Sequence, residues 1–229
     1  MFPLLGLAYI EVARNADVSA AKAILAKLPA ASEDELRVIG ARWDLAMLER
    51  DYEAADKILL EFPPAEKFSG EAAPKPLYQS QTALARGDIE SAQRYLISAT
   101  TELEKRLAED PDSPQRHGQL GLVYAYRQMK EEAIRESRRA VELEPESENA
   151  YHGATAAANL ALVYALVGEA DAAIDLIERL LTIPGPLQGL DYPKNMTLGD
   201  LRLRWEWDSL RANPRFQKIL AGPEPKTVF

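Results

Sequence analysis

The side chains of this chain that could carry out acid–base chemistry are two histidines and a large number of carboxylates. General acid–base catalysis requires such a group within hydrogen-bond reach of the substrate, with a pKa near the working pH. His117 falls at a helix-packing position of an amphipathic pattern, and His152 falls in a stretch that interrupts the repeated pattern. Carboxylate pairs such as Glu131–Glu132 lie on the polar faces of predicted helices. We therefore interpret His117 as structural, His152 as solvated and the carboxylates as surface charge.

Residue types and motifs that other reactions require are missing from the sequence. The chain has no cysteine, which excludes disulfides, thiol catalysis and metal sites with cysteine ligands. It also has no phosphate-binding loop, dinucleotide fingerprint, nucleophile elbow or cluster of metal-ligand residues. We therefore expect no enzymatic activity, no cofactor and no metal ion, and we expect the chain to work by binding.

The charge of the chain argues against nucleic acid as a partner. The formal net charge is −9. Carboxylates outnumber basic residues across residues 1–193, and only residues 194–229 carry a slight basic excess. Phosphate binding requires clustered Lys and Arg side chains, so we expect no nucleic-acid contact by this region.

No apolar run of the sequence approaches the ~20 residues that a membrane-spanning helix requires. Phe2–Ile10 is apolar, but it is short and lacks a basic leader and a clear cleavage site. We interpret it as a core helix, with Met1 standing inside a longer protein. The absence of cysteine fits a reducing compartment. We expect no membrane contact and a cytoplasmic location.

Helical periodicity is clearest in the stretch Pro114–Ser147. Apolar and small residues recur there at spacings of three and four, before and after a short turn, which predicts two amphipathic helices. Pro145 ends the second pattern, because proline lacks the backbone donor that a helix interior needs. Gly121, Ala133 and Ala140 are small enough to let the two helices approach closely.

Variants of this hairpin recur along the chain, and an alanine early in each second helix marks them. Ala55 follows Ala21 by 34 residues. Later intervals are longer, because the third unit has a long second helix that ends at Glu109 and about six residues are inserted near Asn149–Thr155. The insertion either lengthens a loop or adds a turn and a half to a helix. We predict five units and a C-terminal part, with the bounds 2–29, 32–64, 72–110, 114–147, 148–183 and 184–229.

Local start and stop signals separate these elements. The predicted N-caps are Asp17 and Asp88, and Gly87 is predicted to end a helix in the left-handed conformation. The other signals are helix ends at Pro29 and Pro63–Pro64, a capping box of Ser32 with Glu35, a loop over Ala65–Pro76 and an irregular crossing over Ile183–Asn195.

The central hairpin resembles the tetratricopeptide repeat (TPR), a helix–turn–helix unit of about 34 residues. Six residues agree with that family in type and register: Leu120, Gly121, Tyr124, Ala133, Ala140 and Pro145. His117 departs from a frequent Trp, and Ser137 departs from a large apolar residue. The resemblance implies an all-α fold, a right-handed TPR superhelix (an αα-solenoid) of about five helical hairpins with a C-terminal helical cap.

Roughly the last 90 residues are similar to the C-terminal TPR region of a group of bacterial multidomain proteins. In that group the array follows an effector domain, which is a protein kinase, a nucleotide cyclase, a winged-helix domain or a TolB-like domain. The shared marks are Gly153, Asn159–Ala161, Tyr164–Ala165, Val167–Gly168, Leu201–Leu203, Trp207–Asp208, Leu210–Arg211 and Pro214–Phe216. Arg204–Trp205 and Ser209 depart from the group. The resemblance implies a sensing or scaffolding arm rather than a catalytic part.

In TPR arrays the first helix of each unit lines a concave groove. The family's groove positions correspond here to Gly40, Asp44, Leu77, Gln81, Gly118, Leu122, Ala125, Ala158, Leu162 and Ala165. Most of these residues are small or apolar, and the Lys, Asn and Arg of the chaperone-binding clamp are missing. The resemblance therefore implies a helix or an extended apolar segment as ligand. The alternative is that the chain's own C-terminal helix, or a tighter superhelix, fills the groove.

The sequence thus predicts a non-catalytic protein–protein interaction scaffold whose largely apolar groove binds a peptide or helix of a protein partner. A second hypothesis is a self-association or regulatory arm of a larger bacterial signalling enzyme or transcription regulator, which includes a homo-oligomer. Neither hypothesis names the partner.

Overall fold

A computed structural model of the chain describes residues 2–28, 36–62, 73–183 and 196–223. Within these residues every regular element is a helix and no β-strand occurs, so this part of the chain is all-α, as expected. None of the helices described there combines the length and the apolar character that crossing a membrane requires. The helices are α1 Phe2–Asn15, α2 Val18–Leu25, α3 Leu36–Leu48, α4 Tyr52–Leu60, α5 Lys75–Arg86, α6 Ile89–Glu109, α7 Pro114–Tyr126, α8 Lys130–Leu143, α9 Ala150–Leu166, α10 Ala170–Leu180, α11 Leu198–Leu203 and α12 Pro214–Leu220, with a 3-10 helix at Trp205–Leu210.

The first ten helices form five hairpins, and each hairpin turn contains one residue with a left-handed backbone. These residues are Ala16, Arg50, Gly87, Gln128 and Gly168, with φ between 52° and 84°. A left-handed residue ends one helix and reverses the chain, and the next residue is the N-cap of the second helix. Asp17, Asp51 and Asp88 cap that helix by accepting a hydrogen bond from the backbone amide three residues on. The predicted caps at Asp17 and Asp88 are confirmed.

The marker alanine is buried in every hairpin. Ala21, Ala55, Ala92, Ala133 and Ala173 are all 0% exposed, and each lies five residues after the left-handed turn residue. In the fourth hairpin, a Cβ added to Gly121 would lie 2.2 Å from Ser137 Oγ and 3.0 Å from the carbonyl oxygen of Ala133. The two helices therefore approach more closely there than a larger side chain would allow. Equivalent turns and equivalent buried alanines show that one hairpin unit is repeated.

Two helices are longer than their counterparts. α6 spans 21 residues to Glu109, as predicted, and Tyr124 Oη of α7 donates a hydrogen bond to its Glu104 Oε1 at 2.8 Å. α9 has 17 residues against 13 in α7, so the inserted residues lengthen this helix. The extra turn packs against the end of the fourth hairpin, where a Cβ added to Gly153 would lie 2.5 Å from the backbone nitrogen of Glu146.

Residues 196–220, here called the C-terminal segment, follow the five hairpins and run back over them. α11 packs on α1 of the first hairpin, the 3-10 helix packs on α9, and α12 packs on α10 of the last hairpin. At the last of these contacts, Arg215 Nη2 lies 2.8 Å from carboxylate oxygens of both Asp175 and Glu178. The sequence predicts a cap on the end of the array; the segment contacts that end and also reaches the first hairpin.

Several predicted signals lie outside the described residues. They are the helix ends at Pro29 and Pro63–Pro64, the capping box of Ser32 and Glu35, most of the loop Ala65–Pro76 and nearly all of the crossing Ile183–Asn195.

Candidate functional site: the inner helix face

The predicted groove residues recur on the first helices of the hairpins, and we call the surface that they form the inner face. They are Asp44 on α3, Leu77 and Gln81 on α5, Gly118, Leu122 and Ala125 on α7, and Ala158, Leu162 and Ala165 on α9. Apart from the glycine, each is at most 3% exposed, and Gly118 and Gly40 are buried as well. In the folded chain the inner face is therefore covered.

The C-terminal segment covers much of the inner face. Large side chains of the segment and of the inner face share one buried cluster, whose members include Leu77, Leu122, Leu162, Leu201, Trp207 and Leu210. The indole of Trp205 stacks on the ring of Tyr126, with the ring centroids 5.9 Å apart and the planes at 17°. Ser209 Oγ donates a hydrogen bond to the carbonyl oxygen of Ala165 at 3.3 Å. The chain's own segment thus contacts positions for which the sequence left two alternatives open, a partner or the chain's own C-terminal helix.

A buried ion-pair cluster anchors the segment. Nη1 and Nη2 of Arg204 donate to the two carboxylate oxygens of Asp44 at 2.7 and 2.9 Å, and Nε donates to Asp200 Oδ1 at 2.8 Å. The other oxygen of Asp200 accepts hydrogen bonds from the hydroxyls of Thr197, at 2.7 Å, and Tyr9, at 3.1 Å. Burial acts to lower the pKa of Arg204, but Asp44 and Asp200 raise it well above its ordinary value. The arginine is therefore charged and joins α3 to α11.

α11 rests directly on the backbone of α1. A Cβ added to Gly199 would lie 2.2 Å from the carbonyl oxygen of Val12 and 2.8 Å from that of Ala13. Real Cβ atoms do not come so close to backbone atoms, so only glycine permits this separation of the two helices. Gly199 therefore sets the position from which the segment enters the inner face.

Glu206 is a buried acid in the middle of the segment. It is 5% exposed, and its Oε2 has no hydrogen-bond partner in the described residues. Burial, partly offset by the charge of Arg204, raises the pKa of Glu206 to about 7. The pKa of Tyr126 is raised well above its ordinary value by burial and by the charge of Glu206. A buried carboxyl group whose pKa is about 7 thus lies on the segment near Asp44 and Tyr126 of the array.

His117 lies at a second site, on the wall of a cavity of about 650 Å³ beside α8. Its Nδ1 is 2.7 Å from Glu136 Oε2, and its Nε2 is 2.9 Å from the carbonyl oxygen of Pro111. The ring therefore ties α7 to α8 and to the residues before α7. His152 is exposed. Basic side chains on the cavity wall bond to neighbours within the protein: Lys130 to Glu169, Arg138 to Tyr164 and Arg139 to Asp112.

The sequence analysis placed Asp44 on the inner face but did not identify the charged and hydrogen-bonding residues that surround it. The sequence places Tyr9 only in the core helix Phe2–Ile10 and assigns no role to Asp200, Arg204 or Glu206, because no local pattern connects them. In the described ranges, no group of three or more His, Asp or Glu residues is arranged to hold a metal ion. The polar groups where the segment contacts the inner face include the ion pairs of Arg204, the amide of Gln81, whose Nε2 donates to Tyr126 Oη at 3.3 Å, and the buried carboxyl of Glu206 on the segment. No protein-family model matches the sequence, and no curated protein matches it.

Proposed function

We propose that this chain is a non-catalytic protein-interaction module of the TPR type, and that its inner face binds a helical segment of a partner. The observation that supports this proposal is the C-terminal segment itself. The inner face holds it through buried apolar side chains and a bidentate arginine. A surface that receives one helical segment has the shape and the chemistry to receive another. The repeated hairpin, with its buried alanine, supports the TPR type.

The chemistry of the inner face restricts the partner. Asp44 is 1% exposed, and a buried carboxylate without a cation costs several kcal/mol. A partner that replaces the C-terminal segment must therefore supply a positive charge where Arg204 now lies. Arginine suits this position better than lysine, because the contact is bidentate. Tyr126 adds an aromatic ring on which Trp205 now stacks. The partner segment thus presents an arginine followed by an aromatic residue at a break between two helical turns, as Arg204 and Trp205 are presented here.

A labelled peptide with the sequence of residues 196–220 tests this proposal in trans. The full-length chain with Arg204→Ala should bind the peptide, because its own segment is weakened and the arginine of the peptide restores the pair with Asp44. Fluorescence anisotropy should show binding at least about tenfold tighter than to the wild-type chain, whose tethered segment competes at high effective concentration.

The matched control is the same peptide with Arg204→Ala, which should bind the variant chain more weakly. Circular dichroism establishes that the variant chain keeps its helices. The proposal is rejected if the folded variant does not bind the wild-type peptide, or if it binds the two peptides equally.

A further inference from the structure

We propose that Glu206 is a pH-sensitive latch whose protonated form holds the C-terminal segment on the inner face and whose ionised form loosens it. The latch controls the segment by itself, and its role in exposing a binding surface rests on the function proposed above. The inference depends on where Glu206 lies, on the charges around it and on the pH window in which it titrates.

Glu206 lies between Trp205 and Trp207 in the 3-10 helix. Its side chain is buried, and among the described residues its Oε2 has no hydrogen-bond partner. The indole nitrogens of both tryptophans are also buried, and neither has an acceptor among the described residues. An ionised carboxylate in this place loses its hydration and gains few hydrogen bonds in return, whereas a neutral carboxyl loses much less. The docked segment therefore favours the protonated form.

The charges around Glu206 oppose one another: Arg204 lowers the pKa of Glu206 and favours its ionised form, whereas Asp44 and Asp200 raise the pKa. The charged and titratable groups that face it are Arg204 and Asp200 on its own segment, Asp44 on α3 and Tyr126 on α7. Arg204 is the cation among these four, and its Nε, Nη1 and Nη2 already bind the two aspartates. Ionisation of Glu206 would place a third negative charge beside one positive charge. Burial outweighs the attraction of Arg204 and raises the pKa of Glu206, so the docked segment is less stable when Glu206 is ionised.

The pKa in the docked and released states sets the pH window. Burial, partly offset by Arg204, raises the pKa of Glu206 from 4.5 to about 7 in the docked state. A released segment exposes the carboxyl, which returns to its ordinary pKa. The contribution of Glu206 to docking is therefore most favourable below about pH 4.5, declines as the pH rises towards 7 and is lost above it. Because each pKa unit is a factor of ten, the docking equilibrium changes on the order of 100-fold.

Thiol labelling of the full-length chain measures this release, because the chain has no cysteine. Leu210→Cys reports on the segment, where Leu210 is 2% exposed, and Ala140→Cys reports on the array, where Ala140 is 1% exposed. The labelling rate with dithiodipyridine, divided by the rate for an unstructured peptide at the same pH, gives the fraction of molecules in which the thiol is accessible.

Between about pH 5 and about pH 8, accessibility at position 210 should rise on the order of 100-fold, while accessibility at position 140 stays flat. In the Glu206→Gln background the rise should disappear, because an amide does not ionise. Glu206→Leu, which removes both oxygens, should behave in the same way. The latch is overturned if position 210 shows no rise, if the rise persists in both Glu206 variants, or if positions 140 and 210 rise together.

This experiment uses no peptide, so its result is independent of the peptide-binding test. A pH-dependent release without peptide binding would support the latch role of Glu206 and would contradict the proposal that the inner face binds a partner segment. Peptide binding without a pH-dependent release would contradict the latch role of Glu206 and would support partner binding by the inner face.

Discussion

Arg204 and Asp44 form two hydrogen bonds, of 2.7 and 2.9 Å, although 160 residues separate them in the chain. Both side chains are only 2% exposed. A buried ion pair adds little stability over apolar packing, but removal of one partner leaves the other charge buried and unpaired. The contact between the second hairpin and the C-terminal segment therefore depends strongly on both residues being present.

Arg204→Ala should lower the free energy of unfolding by roughly 3–5 kcal/mol, because Asp44 and Asp200 would stay buried without their cation. Urea denaturation followed by circular dichroism measures the change. Arg50→Ala is the matched control. Arg50 also joins the array to the segment, through Asp208 at 3.0 Å, but the two side chains are 44% and 42% exposed. Its loss should cost less than about 1 kcal/mol. Equal costs would contradict the difference in burial.

Gly199→Ala should push α11 away from α1. The clashing atoms are the carbonyl oxygens of Val12 and Ala13, so only a shift of a helix relieves the clash, at a cost of roughly 1–3 kcal/mol. Thermal unfolding measures this cost. Gly6→Ala is the control, because in the described part of the chain its new Cβ would have no atom within 4 Å. It should be neutral or stabilise α1 by up to about 1 kcal/mol. Similar melting temperatures for the two variants would show that α11 does not rest on α1 in this way.

Ala133→Leu tests the close contact inside the fourth hairpin. Ala133 is 0% exposed, and its carbonyl oxygen lies close to Gly121 of the facing helix. Three further heavy atoms would overpack this contact and cost on the order of 1–3 kcal/mol. Ala108→Leu, at an exposed position of α6, makes the same change away from any helix contact and should be nearly neutral. Chemical denaturation of both variants gives the comparison, and a neutral Ala133→Leu would count against the repeat register.

Asp208 should contribute to the loss of stability in acid. Burial acts to raise its pKa, but hydrogen bonds from Arg50 and Arg211 outweigh burial and lower it. A lowered pKa in the folded chain means that the stabilisation is present above the unfolded pKa of about 3.9 and is lost as the pH falls through the folded pKa. Asp208→Asn should therefore shrink the difference in unfolding free energy between about pH 6 and about pH 3. The change should stay below about 1 kcal/mol, because Asp208 is 42% exposed and screened by solvent. Urea denaturation at both pH values measures this difference. An equal difference in Asp208→Asn and in the wild-type chain would refute the prediction.

The hairpins could be predicted because their signals act over a few residues. Gly87 and Asp88 end one helix and start the next as predicted, since a left-handed glycine and an N-cap aspartate satisfy backbone groups beside them. Ala16, Arg50 and Gln128 adopt the same left-handed backbone. Their side chains do not favour it, so the hairpin imposes this conformation and the sequence alone does not reveal it.

The sequence left open whether a partner or the chain's own C-terminal helix fills the groove. The residues that make the contacts could not be predicted, because they join distant parts of the chain. Tyr9 donates its hydroxyl proton to Asp200 across 191 residues, and no periodic pattern extends so far. Asp44 gave a partial signal: a charge on an otherwise small and apolar helix face requires an opposite charge. The sequence does not show which arginine supplies that charge. A partner-binding role for the groove positions stays a prediction.

Since α11 rests on α1 and α12 rests on α10, the C-terminal segment works as a strut between the first and the last hairpin. In an open stack of repeats each unit contacts only its neighbours, so the stack can extend and its terminal units can unfold one at a time. A strut removes that freedom: force applied to either end passes to the other, and neither terminal hairpin detaches while the strut is in place.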